Sequence, residues 1–240
     1  MSLERSAAAR YPMRCLHALL ATAFFSAVDI SLSALQVADP DSDATVSLAD
    51  EPTLGAHELL EAFAEVQGLQ ANFEETKFLA LLSVPLKSSG KLYFFAPGTL
   101  LRQIETPEPS TLLIQPGKLR MSNSGGTETI DLRQSDALRL FVTSLLHVFA
   151  GDEKALTDNY EMDFKASTEG ANWTLTLTPK AEPLTAMVRE LILSGEKLKV
   201  ESIEVREPSG DRSVTRLSDV DAQRVFTAEE QLELFGVRSD

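Results

Sequence analysis

The chain has 240 residues, 43% of them hydrophobic and 24% charged, and its 36 Asp and Glu against 22 Lys and Arg give a net charge of −14. That balance describes a soluble globular chain with one main domain. It argues against a nucleic-acid partner, because a polyanionic backbone is bound by clustered Lys and Arg, and the sequence has no such cluster.

The first residues read as an export address. Arg5, Arg10 and Arg14 form a basic start, Leu16 to Val28 an apolar run, and Ser26-Ala27-Val28 or Ser31-Leu32-Ser33 offers small residues for cleavage. Residues 1–33 are therefore expected to be a signal peptide that directs the protein to the periplasm. The run is short for a membrane-spanning helix of about 20 residues, which makes a retained anchor the lesser alternative. Cys15, the one cysteine, would leave with the signal. Residues 34–54 carry Asp39, Asp41, Asp43, Asp50 and Glu51 without a sustained period and read as an acidic linker. The folded domain is expected over 55–240.

Leu59, Leu60, Phe63 and Val66 lay one apolar stripe on a helix from about His57 to Gln67. Three strand-like segments follow, Phe73 to Phe78, Lys91 to Phe95 and Thr99 to Glu105, punctuated by Pro85, Pro97 and Pro107, which cannot donate to a sheet ladder. Period-2 placement puts Leu92 and Phe94 on one face, and Leu100, Arg102 and Ile104 likewise. Pro116-Gly117 joins Thr111–Gln115 and Leu119–Asn123 as a tight hairpin. Ser124-Gly125-Gly126 is a loop and not a phosphate cradle, since no Lys-Ser/Thr follows it.

From Asp136 to Ala150 the period changes to 3.6, with Leu138, Phe141, Val142, Leu145, Val148 and Phe149 on one face, Ser135 as N-cap and Gly151 as stop. Neither His57 nor His147 has a second His or Cys at i±3 or i±4, so no zinc site is expected. Asn172 to Thr178 then alternates Trp173, Leu175 and Leu177 against threonines. Met187 to Leu193, Leu198 to Glu207 and Arg212 to Leu217 read as three further antiparallel strands. Thr227 caps a short turn through Glu230, and Phe235 is a last contact.

The nucleophile, metalloprotease and phosphate-loop motifs are all missing. Glu74 and Glu75, adjacent on a strand, point to opposite faces and cannot share a substrate. The expectation is a protein that is not an enzyme and needs no cofactor.

A resemblance can be drawn from these segments. Asn72-Phe73-Glu74-Glu75-Thr76-Lys77 after a helix, Leu86-x-x-x-Gly90-Lys91-Leu92-Tyr93-Phe94, Pro97-x-x-Leu100-x-Arg102 and Leu177-Thr178-Pro179-Lys180, in that order between His57 and Leu217, resemble the periplasmic outer-membrane lipoprotein carrier (LolA-like) family. The resemblance implies an α+β fold, an incomplete and strongly curved antiparallel β-barrel of about eleven strands with helices covering its concave face. It also implies a monomeric carrier whose cavity holds the acyl chains of a lipoprotein or other lipid, passed from an inner-membrane donor to an outer-membrane acceptor. The carriers themselves typically have an arginine before the proline that follows the second wall strand, where it closes the lid; here that position is Ala96, the pattern of a divergent member.

On that fold the concave face would show Leu92, Phe94, Leu100, Ile104, Trp173, Leu175 and Leu177, opposite helical Leu59, Phe63, Phe141 and Leu145. These residues either pack solid or enclose a cavity. Arg102, read as the one charge on the face, either pairs with a surface carboxylate such as Glu105 or holds a lipid phosphate or carboxylate by a bidentate fork. Two other functions fit the same residues: a lipid-sensing regulator, and a hydrolase using carboxylates from distant strands.

Overall fold

The computed structural model describes residues 55–167 and 172–237; the expected signal peptide and acidic linker lie outside them. The first element is helix α1 (Ala56–Ala64), followed by six strands: β1 (Gly68–Phe78), β2 (Leu86–Phe95), β3 (Thr99–Thr106), β4 (Ser110–Gln115), β5 (Lys118–Asn123) and β6 (Gly126–Asp131). Helices α2 (Asp136–Phe149) and α3 (Glu153–Asn159) come next. Five more strands follow: β7 (Tyr160–Ala166), β8 (Asn172–Pro179), β9 (Glu190–Glu196), β10 (Lys199–Arg206) and β11 (Arg212–Asp221). A short helix α4 (Ala228–Glu230) runs into a π turn (Gln231–Phe235).

All eleven strands belong to one antiparallel sheet in the order β6-β5-β4-β3-β2-β1-β11-β10-β9-β8-β7. The chain thus enters and leaves the sheet at its centre, where Phe73 pairs with Leu217 and Lys77 with Ser213. Each half is a meander of hairpins, and the two edge strands, β6 and β7, are consecutive in sequence, joined by α2 and α3. This is the fold class expected from the resemblance, an open, incomplete barrel.

Alternation along the strands sorts side chains into two cores. Leu92, Phe94, Leu100 and Ile114 join the main core with α1 and α2, while their neighbours Tyr93, Leu101 and Leu113 face the other side. There they meet Phe226 and Phe235 of the C-terminal segment; Phe235 is fully buried, and the Gln115 Nε2 donates to its carbonyl at 3.0 Å. The Thr227 cap is a reciprocal one with Glu230. That second core on the convex face was not anticipated beyond the contact assigned to Phe235.

Boundaries shift where local hydrogen bonds override periodicity. Helix α1 ends at Ala64, three residues early, because the Glu65 and Val66 amides turn back to Phe63. The strand expected from Met187 starts only at Glu190, since Leu184–Ala186 forms a 3-10 turn that takes the Met187 and Val188 amides. Strands β6 and β7 and helix α3 are additions to the sequence reading.

Ser135 caps α2 by accepting from the Leu138 amide, and the Tyr160 hydroxyl donates to Ser144 Oγ at 2.7 Å, tying α2 to β7. Gly151, at φ +62°, lets α2 close against α1: an added Cβ would run into the Leu60 carbonyl oxygen and the Ala64 backbone. Gly151→Ala should therefore cost about 1–3 kcal/mol, combining backbone strain with a clash that no side-chain rotation relieves. Thermal unfolding checks this, at roughly 2–4 °C per kcal/mol for a domain of this size.

Candidate functional site

Helix α2 does not lie flush on the sheet. Beneath it is a cavity of about 500 Å³, within the range of sites that take small ligands. Its walls come from seven neighbouring strands, β5 through β1 and on to β10 by way of β11. Laid flat, seven strands would extend about 29 Å, so the sheet must curl to bring them around one space. The roof is the stripe Leu138, Phe141, Val142, Leu145 and Phe149 of α2, at helical spacing. The rim includes exposed Pro208 and Ser209 in the β10–β11 turn.

Strand β1 carries a change of character along this space. Its inward positions run Phe73, Glu75, Lys77, all buried, whereas Glu74 is exposed. Arg102 of β3 reaches across β2 to Glu75, with 2.7 Å from Nη2 to Oε2 and 3.4 Å from Nη1 to Oε1, and its guanidinium lies 4.3 Å from the centre of the Phe73 ring. Ser88 completes the cluster at 3.3 Å from both partners. One strand position further, Lys77, 4% exposed, lies 3.7 Å from Glu207, and burial pulls its ammonium below the usual lysine range. The carboxylates and cations alternate and cancel, so the cavity has apolar walls and one polar, charge-balanced end.

The twelve residues expected to face a cavity divide into two groups. Leu92, Leu100, Arg102, Phe141 and Leu145 line it. Leu59, Phe63, Phe94, Trp173, Leu175 and Leu177 pack in the core, and Ile104 lies partly buried against it. The physical reason is α1, which fills the β8 side: Phe63 meets the Trp173 ring edge-on at 6.2 Å, and the Trp173 Nε1 donates to the Lys197 carbonyl at 2.7 Å. Phe94 stacks on Phe149 at 5.7 Å and so packs in the core beside the roof, outside the lining. Arg102 is not the one charge on the face, because Glu75 and Lys77 share it, and its partner is Glu75; Glu105 instead lies 3.8 Å from Lys91.

The sequence reading missed Phe73, Glu75, Leu112, Ile114, Leu119, Ile203 and Val205 of the lining. For β1 the signal was the alternation itself, disguised because two of its inward positions are charged. Among the described residues no group of three or more His, Cys, Asp or Glu is placed to hold a metal ion.

The family described as outer membrane lipoprotein carrier protein LolA-like matches residues 49–234. The chain belongs to that family. No curated protein matches the sequence. Similar solved structures include a LolA superfamily protein, NE2245, from Nitrosomonas europaea, at 14% identity with a TM-score of 0.41, covering 73% of this chain and 96% of that one. A DUF1329 family protein from Desulfovibrio piger ATCC 29098 matches at 12% identity and TM-score 0.45, covering 75% and 95%. A domain from Vibrio parahaemolyticus described as a putative outer membrane lipoprotein-sorting protein matches at 11% identity and TM-score 0.43, covering 75% and 95%.

At the position where the resemblance places the lid arginine of the lipoprotein carriers, Ala96 packs partly buried against the main core, and its amide donates to the Gln67 carbonyl at 3.1 Å. In this LolA-like chain the roof is therefore held down by apolar contacts such as Phe94–Phe149 and by the Tyr160–Ser144 bond. The Glu75–Arg102 pair makes a test of its own. Removing one partner leaves a nearly buried charge unpaired, so Glu75→Met should cost about 1–3 kcal/mol, discounted from a fully buried pair because Arg102 keeps some access to water. The double variant Glu75→Met with Arg102→Met should be more stable than Glu75→Met alone, as a denaturant-unfolding cycle would read directly.

Proposed function

We propose that the protein is a periplasmic carrier that takes the acyl chains of a lipoprotein or another lipid into the cavity under α2 and moves them toward the outer membrane. The observation that carries this reading is an apolar space of about 500 Å³ whose internal charges are already paired with one another. Membership of the LolA-like family supports it. A packed core would leave no such space.

The energetics favour chains over heads. Each buried methylene gains about 0.8 kcal/mol, so eight to ten of them are enough to hold a lipid through an aqueous compartment. A carboxylate or phosphate head drawn inward would have to displace Glu75 from Arg102 and leave Glu75 buried beside it. The head accordingly stays at the rim near Pro208 and Ser209, while the chain lies along Leu100, Leu112, Phe141 and Leu145. Delivery to an outer-membrane acceptor, after loading from an inner-membrane donor, belongs to the same proposal. It asks for no catalytic residue.

Phe141 is the residue of choice for a test, since it lines the space and is only partly buried. Replacing a solid-core phenylalanine by a small residue costs about 3–5 kcal/mol, because lost burial and residual cavity add. At a cavity wall the ring already faces open space, so Phe141→Ser should cost clearly less. Its hydroxyl opposes an acyl chain directly, and the affinity for a fluorescent fatty acid should fall at least tenfold. Wild-type affinity in the folded variant would remove the cavity from the mechanism.

A further inference from the structure

The β1–β2 hairpin ends in a loop that the carrier reading has not used. From Phe78 to Leu86 the sequence is Phe-Leu-Ala-Leu-Leu-Ser-Val-Pro-Leu, nine residues without a charge in a chain of net charge −14. Leu81 is 97% exposed, Val84 65%, Leu82 48% and Phe78 38%. Two hydrogen bonds hold the loop: the Leu82 amide returns to the Leu79 carbonyl at 2.9 Å, and the Ala80 amide donates to Asp211 Oδ1 at 2.8 Å. That second bond pins it beside the β10–β11 turn, whose Glu207, Pro208 and Ser209 form the rim of the cavity.

We infer that this loop is a membrane-docking finger, which sets its apolar tip into the surface of a lipid bilayer and holds the cavity mouth against it. Three observations select this occupant. The four exposed side chains present an area on the order of a few hundred Å², short of the roughly 800 Å² per partner that a stable protein interface or a second copy would cover. A bilayer needs only a small, uncharged, protruding tip of this kind, shallowly buried in the headgroup region. The surrounding charges are mixed: exposed Lys87 and Arg212 stand beside Asp211 and Glu204, the latter 3.9 Å from Arg212, while Glu207 is paired with Lys77. Contact is therefore apolar in origin, without a demand for anionic lipid. The inference deepens the carrier reading and rests on it for its purpose: a loop bound to the rim by Asp211 places the entrance at the lipid surface from which a chain is taken or to which it is given.

The test uses the full chain in the form the cell accumulates, with vesicles of zwitterionic phosphatidylcholine. Leu81→Trp puts a fluorophore at the tip, and the chain's one native tryptophan, Trp173, is 2% exposed. Emission of the variant should shift to the blue when vesicles are added and be quenched by bromine labels on the upper acyl chain, with no such change in the unsubstituted protein. The pair Leu81→Asp and Val84→Asp should lower vesicle binding at least tenfold and leave the thermal midpoint unchanged, because both side chains point into water. Solvent-like, unquenched emission of the tryptophan variant overturns the inference. Equal vesicle binding by the aspartate variant does so too, as does a self-association that the aspartates abolish. Fatty-acid binding is measured on the same samples without vesicles, so that a failure of the cavity reading shows there and not in the quenching.

Discussion

Pairing of the first strand with the last fixes everything else in this fold. Because β1 lies against β11 in the middle of the sheet, the two meanders grow outward from the centre, and the two edges become neighbours in the sequence. Flat, ten spacings would hold those edges about 48 Å apart, while a 14-residue helix such as α2 is about 21 Å long. Curling of the sheet and passage of α2 over its inner face are two sides of one requirement. The cavity is what remains where that helix bridges the curve without filling it. On the β8 side, α1 with Phe63 and Trp173 fills the space instead.

The polar end of the cavity follows from the same geometry. Residues at the ends of central strands approach the open rim, so inward positions there can carry charge if partners stand on the adjoining strands. Glu75 finds Arg102 two strands away on β3, and Lys77 finds Glu207 beyond β11. Each pair offsets part of its own desolvation, and together they leave no net charge for a ligand to answer. Such an arrangement fits the proposed binding of apolar chains better than recognition of a charged head group.

Much of the architecture was legible in the residues. Proline and glycine punctuation marked the hairpins from β2 to β5, threonine alternation marked β8, and a 3.6 period marked α2 with both of its ends. Strand β6 was not legible, because Gly126-Thr127-Glu128-Thr129 is exposed at a sheet edge and has no buried face to impose a period. Strand β7 does alternate, with Tyr160, Met162 and Phe164 against Glu161, Asp163 and Lys165, but at a sheet edge only Tyr160 is fully buried. The site was half legible. Period 2 found the wall residues Leu92 and Leu100, but which inward residues face open space and which face α1 depends on where a helix settles. No local pattern encodes that.

The convex core gives the two halves of the barrel different mechanical properties. Strands β2, β3 and β4 are gripped on both faces, by the main core within and by Phe226 and Phe235 without, the latter pair meeting edge-to-face at 5.2 Å. Strands β9 and β10 have no such strap among the described residues. If the proposed carrier function holds, the doubly packed wall is the fixed post, and a change in contents would be taken up by a swing of α2 and the β9–β10 side about it.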